Sequence, residues 1–153
     1  MSARTIKRTN SSDHDFISLI SQLDRYLHSL YGAGMSYYQP LNVIENCDTV
    51  VVVYVDGVPA GCGCLRKFSE DTVEVKRMFV PEAFRKQGIA TAVLHELEQW
   101  AGELQYKHIL LETGDLLADA IRLYQKNNYN ETEKWGPYVG MATSICLKKT
   151  ISK

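Results

Sequence analysis

The sequence predicts an α/β protein built on one mixed sheet of six or seven strands, flanked by about four helices. Three observations carry that expectation. β-Branched runs separated by tight-turn residues predict an antiparallel meander between Asp48 and Val80. An amphipathic stretch from Ile89 to Leu104 then separates that meander from a short apolar strand, Ile109 to Leu111. The strand–helix–strand unit from Val73 through Leu111 places two strands in parallel. A length of 153 residues suits one full core rather than two, so residues 1–153 are expected to form a single domain.

Taken in order, Arg4 to Thr9 reads as a first strand. Ser11-Ser12-Asp13 offers helix N-caps, and Phe16, Leu19, Ile20, Leu23, Tyr26, Leu27 and Leu30 recur at helical spacing, with an end near Gly32. The stretch from Gly32 to Pro40 is irregular and rich in tyrosine. Val50 to Val55 meets Asp56-Gly57, a pair suited to a two-residue type I′ turn, and a second strand leaves from Val58. Ser69-Glu70-Asp71 turns the chain into a third strand, Thr72 to Val80, which Pro81 stops. Ile89, Val93, Leu97, Trp100 and Leu104 mark one helix face, Ala118 to Lys126 reads as another helix, and Ala142 to Lys148 as the last strand.

Composition excludes some classes. A net charge of −1 gives no support for bulk attraction to nucleic acid or membranes. No apolar run approaches the roughly 20 residues that span a bilayer. Met1 to Thr9 is basic and polar without the apolar stretch of a secretory signal, so the expected location is cytoplasmic. Cys62 and Cys64 form a lone C-x-C without a second pair, a weak zinc signal, and no metal is expected; buried reduced thiols are the simpler reading of the cysteines. His14, His28, His95 and His108 are scattered and form no ligand pair.

The chemistry is concentrated in Arg85-Lys86-Gln87-Gly88-Ile89-Ala90, between a strand and the start of a helix. Such a start carries unpaired N–H groups and partial positive charge, which suit a phosphate or diphosphate. Gly88 lets the main chain approach a ligand, Ala90 keeps the next position small, and Arg85 and Lys86 add positive charge. Taken alone, such a strand–loop–helix run reads more readily as a solvated turn with a convenient glycine. Neither a G-x-x-x-x-G-K-[ST] loop nor a G-x-G-x-x-G following a strand occurs.

The run V-E-V-K-R-M-F-V-P-E-A-F-R-K-Q-G-I-A-T resembles the acyl-CoA-binding motif of the GNAT superfamily of N-acetyltransferases: Arg or Gln, two residues, Gly, one residue, then Gly or Ala. Further on, A-I-R-L-Y-Q-K-N-N-Y, Ala120 to Tyr129, is similar to that family's A-x-x-L-Y-x-K-x-G-F signature, and the order of elements also agrees. The resemblance implies acetyl-CoA as co-substrate and an amine on a small or amino-acid-like acceptor, attacked directly in a ternary complex without a metal. It implies that Met78, Phe79 and Val80 lie along the pantetheine arm, with the Met78 N–H facing the oxyanion. The amides of Gln87, Gly88, Ile89, Ala90 and Thr91 would hold the diphosphate, flanked by Arg85 and Lys86.

Tyr124 falls at the family's tyrosine, the general acid toward the departing thiolate; without the flanking signature it would read as core packing beside Leu123. Glu74 lies where the histone-acetylating branch places its general base, although a sheet-surface glutamate explains it equally well. By alternation Glu74, Lys76, Met78 and Val80 point one way unless a bulge resets the parity. Tyr31, Tyr37 and Tyr138 are candidates for the acceptor mouth, as is Tyr38, with packing between helix and sheet as the alternative. Two departures stand out. Leu117 replaces an asparagine that contacts pantetheine, and Asn128-Tyr129 replaces Gly-Phe, with Asn the next-best left-handed cap. Cys146, on the last strand, is the one cysteine to check as a covalent nucleophile. Protein N-acetylation and a non-catalytic acyl-CoA-binding module are the competing functions, and a homodimer through the last strands is left open.

Overall fold

The structure is a computed structural model that describes residues 3–32, 44 and 46–151. Seven strands form one mixed sheet: β1 (Arg4–Thr9), β2 (Val50–Val55), β3 (Val58–Lys67), β4 (Thr72–Phe79), β5 (His108–Gly114), β6 (Asn130–Glu131) and β7 (Ser144–Thr150), in the order β1-β2-β3-β4-β5-β7-β6. Among the described residues there are three α-helices, α1 (His14–Tyr31), α2 (Ile89–Glu103) and α3 (Ala118–Lys126), and two short 3₁₀ turns. The chain divides into two compact units, Met1–Arg66 with Lys76–Leu97, and Lys67–Val75 with Glu98–Lys153.

In the first unit, Asp13 caps α1: its carboxylate accepts from the N–H groups of Asp15 and Phe16 at 2.9 and 3.0 Å. The expected type I′ hairpin forms, with Asp56 and Gly57 at φ of 50° and 80°. The register shifts between Val53 and Tyr54, so the hairpin carries a bulge just before its turn. α1 buries Phe16, Leu19 and Leu23 against Val50, Val52, Cys62, Cys64 and Phe79. Alternation turns Gly61 and Gly63 to the opposite face, where the side chains of Ile89, Val93 and Leu97 of α2 press in. A Cβ on Gly61 would stand 2.6 Å from Ile89 Cγ2, so only glycine lets the first turn of α2 lie this close to the sheet. Helices therefore cover both faces of this unit.

β4 does not alternate evenly. Arg77 sits at φ of 59°, the left-handed region, and this bulge resets the parity of the strand. Arg77 reaches α1, where its Nη2 donates to the Ile20 carbonyl at 3.1 Å and to Asp24 Oδ1 at 2.6 Å, while Met78 turns to Gly63 on the α2 side. Burial leaves Arg77 Nε without a hydrogen-bond partner, a desolvation cost that the Asp24 pair helps to offset.

In the second unit, Thr72 to Val75 pair in parallel with His108 to Leu111, as the strand–helix–strand pattern requires. β5 pairs antiparallel with β7 along all seven residues, and β6 adds two more. β6 went unread in the sequence because two polar residues carry no periodicity. β7 begins at Ser144 rather than Ala142, its register being set by β5.

Candidate active site

The loop between β4 and α2 belongs wholly to the first unit. Pro81 ends the strand because it cannot donate to a ladder. A 3₁₀ turn, Glu82–Phe84, then brings the chain to Lys86 and Gly88, at φ of 63° and 78°. These two left-handed residues turn successive N–H groups to one side, the geometry of an anion-binding nest. The first bond into α2 is from the Ala92 N–H to the Gly88 carbonyl at 3.0 Å. Five consecutive amides, Gln87 through Thr91, thus donate to no acceptor among the described residues. A Cβ on Gly88 would meet only Arg4 Nη1, at 3.9 Å, so the flank is open to a ligand. Arg4 reaches the loop from β1 and donates from Nη2 to the Gln87 carbonyl at 2.6 Å. Arg85 is turned back: its Nε donates to the Val80 carbonyl at 3.0 Å, and its guanidinium lies 4.8 Å from the centre of the Tyr26 ring.

The second unit gathers carboxylates and a phenol. Glu74 is in register with Leu110, and Glu112 with Cys146, so Glu74, Glu112 and Cys146 share one face of the sheet. Glu74 is only 7 % exposed. The Ser144 hydroxyl donates to Glu112 Oε2 at 2.7 Å. Tyr124 is buried on α3, its ring edge-on to Tyr129 at 6.0 Å, and its hydroxyl has no hydrogen-bond partner among the described residues. Burial, reinforced by the Glu112 charge, drives the Tyr124 pKa well above the ordinary phenol value. The Tyr129 hydroxyl, in contrast, is committed to Glu98 Oε2 at 2.8 Å, a carboxylate that also pairs with Lys149 at 3.1 Å. Burial and the Glu112 charge push the Cys146 thiol up to about 11, which makes it a poor nucleophile near neutrality.

Comparison with known proteins supplies the deciding observation. The model of the acetyltransferase (GNAT) family matches residues 16–129. The chain belongs to that family. An IAA acetyltransferase of Azospirillum brasilense is 32% identical over 149 residues, covering 96% of this chain and 97% of that protein. Two solved structures share the fold: a GNAT-family acetyltransferase of Staphylococcus aureus (TM-score 0.78, 16% identity, 98% and 100% of the two chains) and one of Elizabethkingia anophelis with acetyl-CoA bound (TM-score 0.68, 20% identity, 96% and 97%).

Within this GNAT chain, Met78, Phe79, Val80 and Arg85 to Thr91 fall in one stretch of the first unit, and Glu74, Tyr124 and Tyr138 in the second. Tyr138 is buried, with its ring edge-on to Trp135 at 5.6 Å. Tyr31 closes α1, whereas Tyr37 and Tyr38 lie outside the described residues. Leu117 stands at the N-cap of α3 and supplies no side-chain cap bond, and Asn128 takes the left-handed conformation at φ of 74°. Among the described residues no three His, Cys, Asp or Glu side chains are gathered for a metal ion, and no helix is long and apolar enough to cross a membrane. Sequence reasoning missed Arg4, Arg77 and Glu112. Their contacts span 83, 57 and 32 residues of chain, and no local pattern announces them.

Proposed function

We propose that the protein transfers the acetyl group of acetyl-CoA to a primary amine on a small, amino-acid-like acceptor by direct attack in a ternary complex. The observation that carries this reading is the row of five unpaired amides from Gln87 to Thr91 beside the open flank of Gly88, a cradle for a diphosphate. Lys86 adds positive charge there, and Arg4 fixes the Gln87 carbonyl so that the amides keep their aim. The small-molecule acceptor is supported by the name of the Azospirillum relative, which matches nearly end to end.

The remaining roles follow the family resemblance. The N–H of Met78 faces the developing oxyanion, and Phe79 and Val80 continue the strand along the pantetheine arm. Glu74 accepts a proton from the acceptor ammonium, whose nitrogen lone pair then attacks the thioester carbon. As the tetrahedral intermediate collapses, the carbon–sulfur bond breaks and Tyr124 donates its O–H to the leaving sulfur. A phenol with a raised pKa holds its proton near neutrality, so Tyr124 is suited to donate a hydrogen bond and unsuited to act as base. Tyr31, Tyr37 and Tyr138 are assigned to the acceptor side.

Calorimetric titration with acetyl-CoA tests the reading, with Gly88→Glu as control. Micromolar binding that the substitution abolishes supports it, and an amine screen following free-thiol release then identifies the acceptor. Absence of binding to the unaltered protein would overturn it.

A further inference from the structure

Two costs fall on one residue of β4. Arg77 holds φ of 59° without being glycine, and its Nε is sealed from solvent with no hydrogen-bond partner. The parallel register of β4 stops at Val75, just before this bulge, and Met78 directly follows it. Two elements of the first unit hold the bulge. From α1, the Ile20 carbonyl and Asp24 Oδ1 accept from Arg77 Nη2 at 3.1 and 2.6 Å. From β3, the buried thiols of Cys62 and Cys64 donate to the carbonyls of Arg77 and Lys76 at 3.5 and 3.4 Å. The ion pair is lopsided: the Arg77 side chain is 3 % exposed and that of Asp24 52 %.

We propose that the Arg77–Asp24 pair is a positioning latch, which holds the β4 bulge in the form that presents the Met78 N–H to the thioester carbonyl. The latch rests on the reading of Met78 as the oxyanion donor.

A left-handed φ is disfavoured for any residue with a Cβ, so an unrestrained β4 would return to the extended form. That return turns the Arg77–Met78 peptide plane, which carries the Met78 N–H, relative to the strand before it. It also undoes the parity change that sends the Met78 side chain to Gly63. The guanidinium opposes the return. Ile20 and Asp24 stand one turn apart on α1, so both acceptors lie on one helix face, and a guanidinium drawn off that face would be a buried cation without its carboxylate. The thiol bonds are weaker, but they fix the two carbonyls at the bulge and give Cys62 and Cys64 a part in the same device. Strain and an orphaned donor at a single residue are costs that stability alone does not select, and a positioned amide accounts for both.

The test reads the thioester itself and so needs no acceptor. Acetyl-CoA isotope-labelled at the acetyl carbonyl is bound to the whole protein; calorimetry gives the affinity and difference infrared spectroscopy the carbonyl stretch. A hydrogen bond from the Met78 N–H lowers that frequency below its value in free acetyl-CoA. Arg77→Met replaces the buried cation with an apolar chain of similar length, so the fold should be kept, with denaturant unfolding as the check. Its affinity for acetyl-CoA should stay within about threefold of the unaltered protein while most of the frequency shift is lost. Asp24→Ala should lose the shift as well, whereas Asp24→Asn, which keeps an Oδ1 acceptor, should retain the larger part. A shift that survives in both Arg77→Met and Asp24→Ala would overturn the latch and leave the Met78 reading standing. A loss that follows the loss of stability from variant to variant would also overturn it, reducing Arg77 to packing. Binding without any shift in the unaltered protein would overturn the Met78 reading instead, and the latch with it.

Discussion

The loop from Arg85 to Thr91 and the group formed by Glu74, Glu112 and Tyr124 are built from different materials. The loop presents backbone: five amides, two left-handed residues and an open glycine flank. Its side chains matter little to the geometry, and Arg85 even turns away to Val80 and Tyr26. The second group presents side chains placed by strand register and burial, with Ser144 bonded to Glu112 and Tyr124 held on α3 among buried aromatics. A backbone site tolerates side-chain change but fails when its φ angles or its open flank are lost. A side-chain site keeps its shape and loses function when one functional atom is removed.

Substitutions can break this contrast, and the largest effect is expected at Gly88. Gly88→Glu places a Cβ at φ of 78° and a negative charge where the diphosphate would lie, so acetyl-CoA affinity should drop by more than about 100-fold in calorimetry. A variant that binds normally would show that the amides are not the donor site. Next, Tyr124→Phe keeps the ring against Tyr129 and deletes one hydroxyl. Steady-state kinetics should show kcat down by about 100-fold with the donor KM changed by less than about threefold. An unchanged kcat would reduce Tyr124 to packing.

Gly61→Ala sharpens the comparison from the side of the fold. The new Cβ must displace Ile89, the first residue of α2, at a cost of about 1–3 kcal/mol in denaturant unfolding, and a raised donor KM should accompany it. The same change at a site shaped by side chains alone would leave donor affinity intact.

The smallest effect concerns Asp13. Burial opposes its ionisation, but bonds from Lys7, the Phe16 N–H and the Thr9 hydroxyl outweigh it and lower its pKa. A carboxylate depressed in the folded state stabilises above its unfolded pKa and loses that contribution as pH falls through the folded value. Asp13→Ala should therefore cost about 1 kcal/mol near neutrality, and the deficit should fade as pH falls below the ordinary value of 3.8. Denaturant midpoints across acidic pH would check this, and a deficit independent of pH would trace the loss to something other than the carboxylate.

Much of the framework was legible because its causes are local. Asp56-Gly57 specifies its own turn, Asp13 its own cap, and Pro81 and Gly88 mark where β4 stops and the loop opens. Periodicity marked α1 and α2, and the two signatures pointed to the loop and to Tyr124 on the third helix. Less legible was anything that depends on long-range pairing. Alternation along β4 failed at Arg77, because a bulge is a compromise between neighbouring strands and leaves no trace in side-chain type. Glu112 lies just past the apolar run Ile109 to Leu111, and nothing local marks its bond from Ser144, 32 residues away.

By itself the sequence determined the order of every element but β6, the hairpin, the turn at Gly88 and the family, since each depends on residues within about one turn or one hairpin of each other. Only the tertiary structure decided which side chains share a face with Glu74 and which amides remain unpaired. Those outcomes depend on strand register and on burial, and both arise when segments distant along the chain exclude water from one another.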